Sequence, residues 1–196
     1  MLEIFQKAQA EEEDVIHQKF SEEEATLEFS RMTINQCEFT NCKCMNSSLN
    51  YAFVSDVTFK NCDFSNSDFS NSSFTDVVFQ DCKFIGCKFL NTSQRRVKII
   101  NCNFAYSNYD SSNLKKIDFQ ESKLDSFVLS NCKLEKVTFQ NSQLNEATLF
   151  DTKLKEIDFR TCSIEGIYVK LEDLKGMIVN EWQALEIAKL LEIEIR

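Results

Sequence analysis

From Phe29 to Val179 a large apolar side chain returns at every fifth residue, and no insertion shifts the frame. Of these 31 positions, 13 are Phe, nine Leu, three Ile, three Val and one Tyr; only Cys44 and Gln94 depart. The residue two before each is small or β-branched: 23 of the 31 are Cys, Ser, Ala, Thr or Val. The remaining positions are mostly Asn, Asp, Ser, Lys, Glu and Gln. A period of five fits neither a helix nor a continuous strand. It predicts a short extended piece followed by a tight bend, repeated without interruption. Residues two apart on an extended piece point to the same side. The large residue and the small residue before it therefore face inward, and the other three face solvent.

A longer period sets how many pieces make one coil. Val57, Val77, Val97, Ile117, Val137 and Ile157 occupy the small position of every fourth repeat, before Phe59, Phe79, Ile99, Phe119, Phe139 and Phe159. The next repeat carries Cys42, Cys62, Cys82 and Cys102, and a corner position carries Asn41, Asn61, Asp81, Asn101, Glu121 and Asn141. Like residues recur at 20, so four repeats make one coil of a four-sided prism. The fold class predicted is all-β, a quadrilateral β-helix, with nearly eight coils in a rod of roughly 37 Å at the ordinary strand spacing. Each coil needs neighbours to bury its faces.

The ends break the pattern. Residues 1–24 lie out of frame and hold eight acids, Glu3, Glu11, Glu12, Glu13, Asp14, Glu22, Glu23 and Glu24, against Lys7 and Lys19. We read them as an N-terminal cap, partly helical, whose acids form a solvated face. Residues 25–179 are the solenoid, and 180–196 a C-terminal helix plus a short strand. Asn180 is a good N-cap with Gln183 three residues on, as in a capping box. The helix that follows carries more apolar surface than one end of a thin rod needs. Ile193 and Ile195 then alternate with Glu192 and Glu194. A cap alone and a cap that also dimerises both fit. The predicted homodimer interface is Trp182, Leu185, Ile187, Leu190, Leu191, Ile193 and Ile195.

Composition sharpens the picture. The chain has no Pro and 3 Gly, so it turns by means other than the usual turn residues. No apolar run reaches the roughly 20 residues of a membrane span, and the acidic start is unlike a signal peptide, so we expect a cytoplasmic protein without membrane contact.

The triplets Cys62-Asp63-Phe64, Ser67-Asp68-Phe69 and Ser112-Asn113-Leu114 resemble the Ala-(Asp/Asn)-Leu motif, followed by two variable residues, of the pentapeptide repeat family. The resemblance covers about three quarters of the chain and implies a right-handed coil. The segment Val179-Asn180-Glu181-Trp182-Gln183-Ala184, with its Leu190-Leu191-Glu192-Ile193 ending, is similar to the tail of the branch that includes the quinolone-resistance (Qnr-type) proteins, with Glu192 where that branch has Gly. That resemblance implies two rods joined end to end, and binding to DNA gyrase or topoisomerase IV in place of DNA, with protection from quinolones or a toxin. Many members of that branch carry inserted loops; this chain carries none.

Candidate chemistry is sparse. His17 is the one histidine, and no Ser-His or Cys-His pairing is evident to activate a nucleophile. No Gly-rich phosphate loop is present. We expect no enzyme activity, no cofactor and no metal. Eight of the nine cysteines occupy the small inward position and Cys44 a large one. We read them as buried packing residues rather than metal ligands or disulfides. The net charge of −9 suits a DNA mimic, but its location does not: residues 25–179 hold 19 acids and 18 bases. Arg95, Arg96, Lys115, Lys116, Lys136, Lys155 and Lys175 line one corner, with Glu135 and Glu156 among them. The predicted partner-binding surface is Arg95, Arg96, Lys115 and Lys116 together with Asp63, Asp68, Asp110 and Asp151; a solvated edge is the plainer reading. The partner expected is a protein, a type II topoisomerase in the most concrete form, with no direct nucleic-acid binding. A structural or regulatory scaffold with an unrelated partner is the competing class.

Overall fold

The computed structural model describes residues 1–191. Helix α1 spans Leu2–Glu11. Nine strands follow: β1 (Val15–Ile16), β2 (Lys19–Ser21), β3 (Thr33–Asn35), β4 (Glu38–Thr40), β5 (Phe53–Lys60), β6 (Ser73–Gln80), β7 (Ser93–Ile100), β8 (Asn113–Gln120) and β9 (Lys133–Gln140). Helix α2, Glu181–Ala188, closes the chain's described part and runs into a 3₁₀ turn at Lys189–Leu191. All nine strands join one parallel sheet.

Successive strands align at a register of 20, as the longer period predicts. Val57 stands on Val77, Val97, Ile117 and Val137, and Phe59 on Phe79, Ile99, Phe119 and Phe139. The four-sided β-solenoid follows from that register. Its sides are not equivalent. Each of β5–β9 runs along two adjacent sides and bends between them at one left-handed residue, Asp56, Asp76, Arg96, Lys116 and Lys136 in turn. The other two sides hold single-residue bridges, such as Lys43 to Asp63 to Lys83 and Ser48 to Asp68 to Lys88. They meet at tight turns closed by Ser67 N–H donating to Phe64 O (3.1 Å), and likewise Ser107 N–H to Phe104 O (3.1 Å).

The corners from residue 31 to residue 156 are all built the same way. The residue two after each large inward one sits in the left-handed region, from Arg31 (φ 57°) through Asn66 (φ 61°) and Asp76 (φ 57°) to Glu156 (φ 67°). This conformation costs least for Gly and less for Asn and Asp than for other residues. Asn and Asp fill about half of these corners. Lys, Arg, Glu, Ser and Tyr take most of the others, where fully paired coils above and below hold the backbone in place. Left-handed corners are how a chain with so few glycines and no proline turns.

The core is a set of side-chain columns. Phe39, Phe59 and Phe79 stack with centroids 4.8 and 5.1 Å apart, and Phe64, Phe84 and Phe104 at 5.5 and 4.8 Å. Offset stacking adds to plain burial of the rings. The small position does more than leave room. Where its backbone N–H does not close a turn, the small residue one coil later accepts from it: Ser67 Oγ from Ser47 N–H (2.9 Å), Ser72 Oγ from Ala52 N–H (2.9 Å), Cys82 Sγ from Cys62 N–H (3.4 Å). The same groups donate to the carbonyl of a large residue, as Ser67 Oγ does to Cys44 O (3.1 Å) and Cys87 Sγ to Phe64 O (2.9 Å). A hydroxyl or thiol there satisfies two buried backbone groups, which an alanine could not. The cysteines predicted as packing residues therefore also link the coils.

The ladder starts before the five-residue frame. Val15 pairs with Ile34 and Phe20 with Phe39, a register of 19. Val15 and Phe20 keep the spacing of five but stand one residue out of phase with Phe29. Helix α1 lies across this end. Phe5 is fully buried against Phe20, Phe29 and Phe39, with centroids 5.7, 5.5 and 6.5 Å away. The buried amino terminus of Met1 donates to Glu23 Oε1 at 3.0 Å.

Candidate interaction surfaces

Among the described residues the rod is packed along its length. Its axis is filled by the columns, so any partner must meet an outward face or an end.

The four predicted basic residues share one place. Arg95 and Lys115 are register partners on β7 and β8, and Arg96 and Lys116 are the left-handed corner residues beside them. They project where each strand bends between its two sides. Arg96 forms a bidentate ion pair with Asp76 one coil below. This pair holds the Asp76 carboxyl below the usual carboxylate range. Lys115 Nζ meets Glu135 Oε2 at 2.7 Å and lowers the Glu135 carboxyl in the same way. Beside the corner, an open depression is lined by Asp76, Val78, Arg96, Lys98, Lys116 and Asp118.

The four predicted acids do not join that cluster. Asp63 and Asp68 sit on the two sides that carry only single bridges. Each caps its own turn: Asp63 Oδ1 accepts from Ser65 N–H (3.0 Å), and Asp68 Oδ1 from Ser70 N–H (2.9 Å). Asp110 Oδ1 accepts from Asn131 Nδ2 at 2.8 Å, and Asp151 Oδ1 pairs with Lys170 Nζ at 2.5 Å. The sequence had signalled this division, because Asp63 and Asp68 precede the large residue whereas the bases follow it.

At the C-terminal end the capping box forms. Asn180 Oδ1 accepts from Gln183 N–H at 3.0 Å, and Gln183 Oε1 accepts from Asn180 N–H at 2.9 Å. Gln183 also does what the spacing did not reveal: its Nε2 donates to Phe159 O and Cys162 O, both at 2.7 Å, tying α2 to the last coil. Of the predicted interface, Ile187 packs against the core. Trp182 is 78% exposed, and Leu185, Leu190 and Leu191 are exposed beside it, as are Tyr168, Leu171 and Ile178. Ile193 and Ile195 lie outside the described residues.

Gln94 is inward, as its frame position predicts, and fully buried. Its amide approaches the buried Tyr109 hydroxyl without reaching good hydrogen-bond geometry, and Gln94 Oε1 and Nε2 and Tyr109 Oη are left unpartnered. Burial pushes the Tyr109 phenol above its usual range, and Gln94 partly offsets this.

All nine cysteines are buried and free. Burial is the main cause raising the Cys87 thiol to about 12. A thiol raised in this way stays protonated and is a poor nucleophile, whereas the Cys82 thiol beside Cys102 lowers the Cys102 thiol. Among the described residues no group of three or more His, Cys, Asp or Glu is placed to hold a metal ion. No described helix is long and apolar enough to cross a membrane.

Residues 24–89 and 92–168 match the model for the pentapeptide repeat region. The chain belongs to the pentapeptide repeat family. The break at residues 90–91 falls just before Thr92-Ser93-Gln94. The solved pentapeptide repeat protein HetL, described as involved in heterocyst differentiation regulation in the cyanobacterium Nostoc sp. strain PCC 7120, is 13% identical with a TM-score of 0.52, covering 84% of this chain and 69% of HetL. QnrB1, a plasmid-mediated fluoroquinolone resistance protein, is 15% identical with a TM-score of 0.46, covering 91% of this chain and 98% of that one. At these identities the solved structures speak to the fold alone. No curated protein matches the chain significantly.

Proposed function

We propose that this pentapeptide repeat protein is a non-enzymatic, cytoplasmic rod that binds a protein partner along its sides. The observation that carries this reading is the filled axis. A core of stacked Phe and Leu columns leaves no cavity to enclose a small substrate, while the sides present regular columns of polar and charged side chains. The rod is a homodimer in this reading, joined at its C-terminal end. Support comes from Trp182, Leu185, Leu190 and Leu191, exposed together on and just after α2. Such a contact is isologous and closes on itself. Sedimentation analysis should give a dimer for the unmodified protein and a monomer for Leu185→Arg. A monomer in both cases would end the dimer reading.

A more specific form is binding to a type II topoisomerase in place of DNA. It is supported by the acids that face away from the basic corner, Asp63, Asp68, Asp110 and Asp125 among them. A gyrase supercoiling assay tests it. Rescue of supercoiling in the presence of a quinolone, with inhibition at higher protein concentration and relief by excess duplex DNA, is the expected result. No effect at any concentration would leave the scaffold form, a rod for an unrelated protein partner.

A further inference from the structure

The outward charge of the sheet changes sign along the rod. Strands β5 and β6 carry Asp56, Asp76 and Lys60. Strands β7, β8 and β9 carry Arg95, Arg96, Lys98, Lys115, Lys116, Lys133 and Lys136, against only Asp118 and Glu135. Twenty-four residues thus hold a surplus of five positive charges in a protein whose net charge is −9. The remaining sides of the same coils, residues 101–112 and 121–132, hold Asp110, Glu121 and Asp125 against Lys123. The rod is therefore polarised across its width, not only along its length.

Internal pairing leaves much of that surplus unused. Arg96 is taken by Asp76 and Lys115 by Glu135. Among the described residues Arg95, Lys98, Lys116, Lys133 and Lys136 make no ion pair, and all five are exposed. Parallel register puts Arg96, Lys116 and Lys136 in one column, about 4.8 Å apart from coil to coil. The backbone of β7 and β8 is paired on both edges, so a ligand here meets side chains and cannot extend the sheet.

We infer that this corner, from Arg95 to Lys136, is the docking surface for an acidic segment of another protein. The inference rests on the protein-binding reading and names the chemistry of the partner. Two observations favour a protein over a nucleic acid. Proteins that track single strands combine a positive groove with aromatic stacking platforms, and no outward position of β7–β9 is aromatic. Asp76 and Asp118 also line the depression with Arg96, Lys98 and Lys116. A phosphate backbone would be repelled there, whereas a carboxylate-rich segment with an occasional Lys or Arg can match both signs. A second copy of this chain could offer its acidic first 24 residues, but side-to-end contact does not close and leads to open filaments.

The probe is a short fluorescein-labelled peptide of glutamates with a single central lysine, read by anisotropy with the full-length protein. Saturable binding is expected, and it should weaken as salt shortens the screening length from about 8 Å at physiological ionic strength toward 3 Å. Lys116→Glu with Lys136→Glu should weaken it about tenfold or more, since two attractions become repulsions. Glu156 already occupies the same corner column with φ 67°, so these substitutions suit the backbone. Lys43→Glu with Lys88→Glu, on the other sides, should leave binding within about twofold of the unmodified protein. Absent binding, or equal loss in both pairs, overturns the inference. Tighter binding of labelled single-stranded or duplex DNA with the same residue dependence also overturns it and makes the ligand a nucleic acid. Filaments that dissolve in the Lys116→Glu, Lys136→Glu variant would make the occupant this chain itself. No gyrase enters this assay, so its outcome and that of the supercoiling assay can fail independently.

Discussion

The two ends of the rod meet the same physical problem and resolve it differently. Each exposes the rim of a hydrophobic column and a row of backbone groups with no further coil to pair with. At the N-terminal end the closure is apolar. Phe5 enters the core among Phe20, Phe29 and Phe39, and no part of it reaches solvent. At the C-terminal end the closure is polar. Gln183 satisfies two carbonyls of the last coil, Ile187 covers part of the rim, and Trp182 and Leu185 remain outside. Leu2 and Ile4 on α1 are exposed as well, but neither is as open as Trp182. The C-terminal end keeps Trp182, Leu185, Leu190 and Leu191 outside, and the proposed dimer contact is assigned to them.

The largest expected effect tests the apolar closure. Phe5→Ala should cost about 3–5 kcal/mol, because the helix cannot collapse into the cavity between coils. A denaturant melt matching that of the unmodified protein would mean that α1 merely rests on the rod. Gln183→Leu keeps the side chain's bulk but leaves the buried Cys162 carbonyl without its donor, while Phe159 O keeps the Cys162 N–H, and should cost about 1–3 kcal/mol. If Gln183→Leu is neutral, the helix is held by Ile187 and by the Asn180 side-chain cap on the residue 183 N–H. A contrast in mid-rod comes next. Gln94→Leu with Tyr109→Phe removes three unpartnered polar atoms without changing shape much, and should raise stability by about 1–2 kcal/mol. A lower melting temperature would show that the two groups do satisfy one another. Smallest of all, Trp182→Ala should change monomer stability by less than about 0.5 kcal/mol, as expected for a surface position. Its effect should appear in sedimentation, as loss of dimer.

The sign of one pH effect follows from the basic corner. The Asp76 carboxyl is held below its usual range by Arg96. Its contribution is complete above the unfolded carboxylate pKa and fades as pH falls through the lower folded value. Asp76→Asn should thus narrow the gap in stability between neutral and acidic solution, slightly, because the pair is exposed.

Most of the fold was legible because the period is strict. Five-residue spacing fixed which side chains face inward, and recurrence at 20 fixed the columns, so Val57 on Val77 and Phe59 on Phe79 could be written down in advance. The capping box of Asn180 and Gln183 was legible for a different reason: its partners are three residues apart. The charges of the basic corner were also visible, since residues that stack are simply 20 apart.

What the sequence determined by itself is therefore what repeats or what is local. The tertiary structure decided what depends on contact between coils or at the ends. The one-residue contraction that puts Phe20 on Phe39 could not be read from a frame that begins at Phe29. The double role of the small Ser, Thr and Cys residues appears only when the N–H of one coil lies beneath the hydroxyl or thiol of the next. Gln183 reaches Phe159 and Cys162 across the end of the rod, at separations of 24 and 21 residues. A strict period fixes direction and neighbour wherever it holds, whereas the end of a coil is settled only by what packs against it.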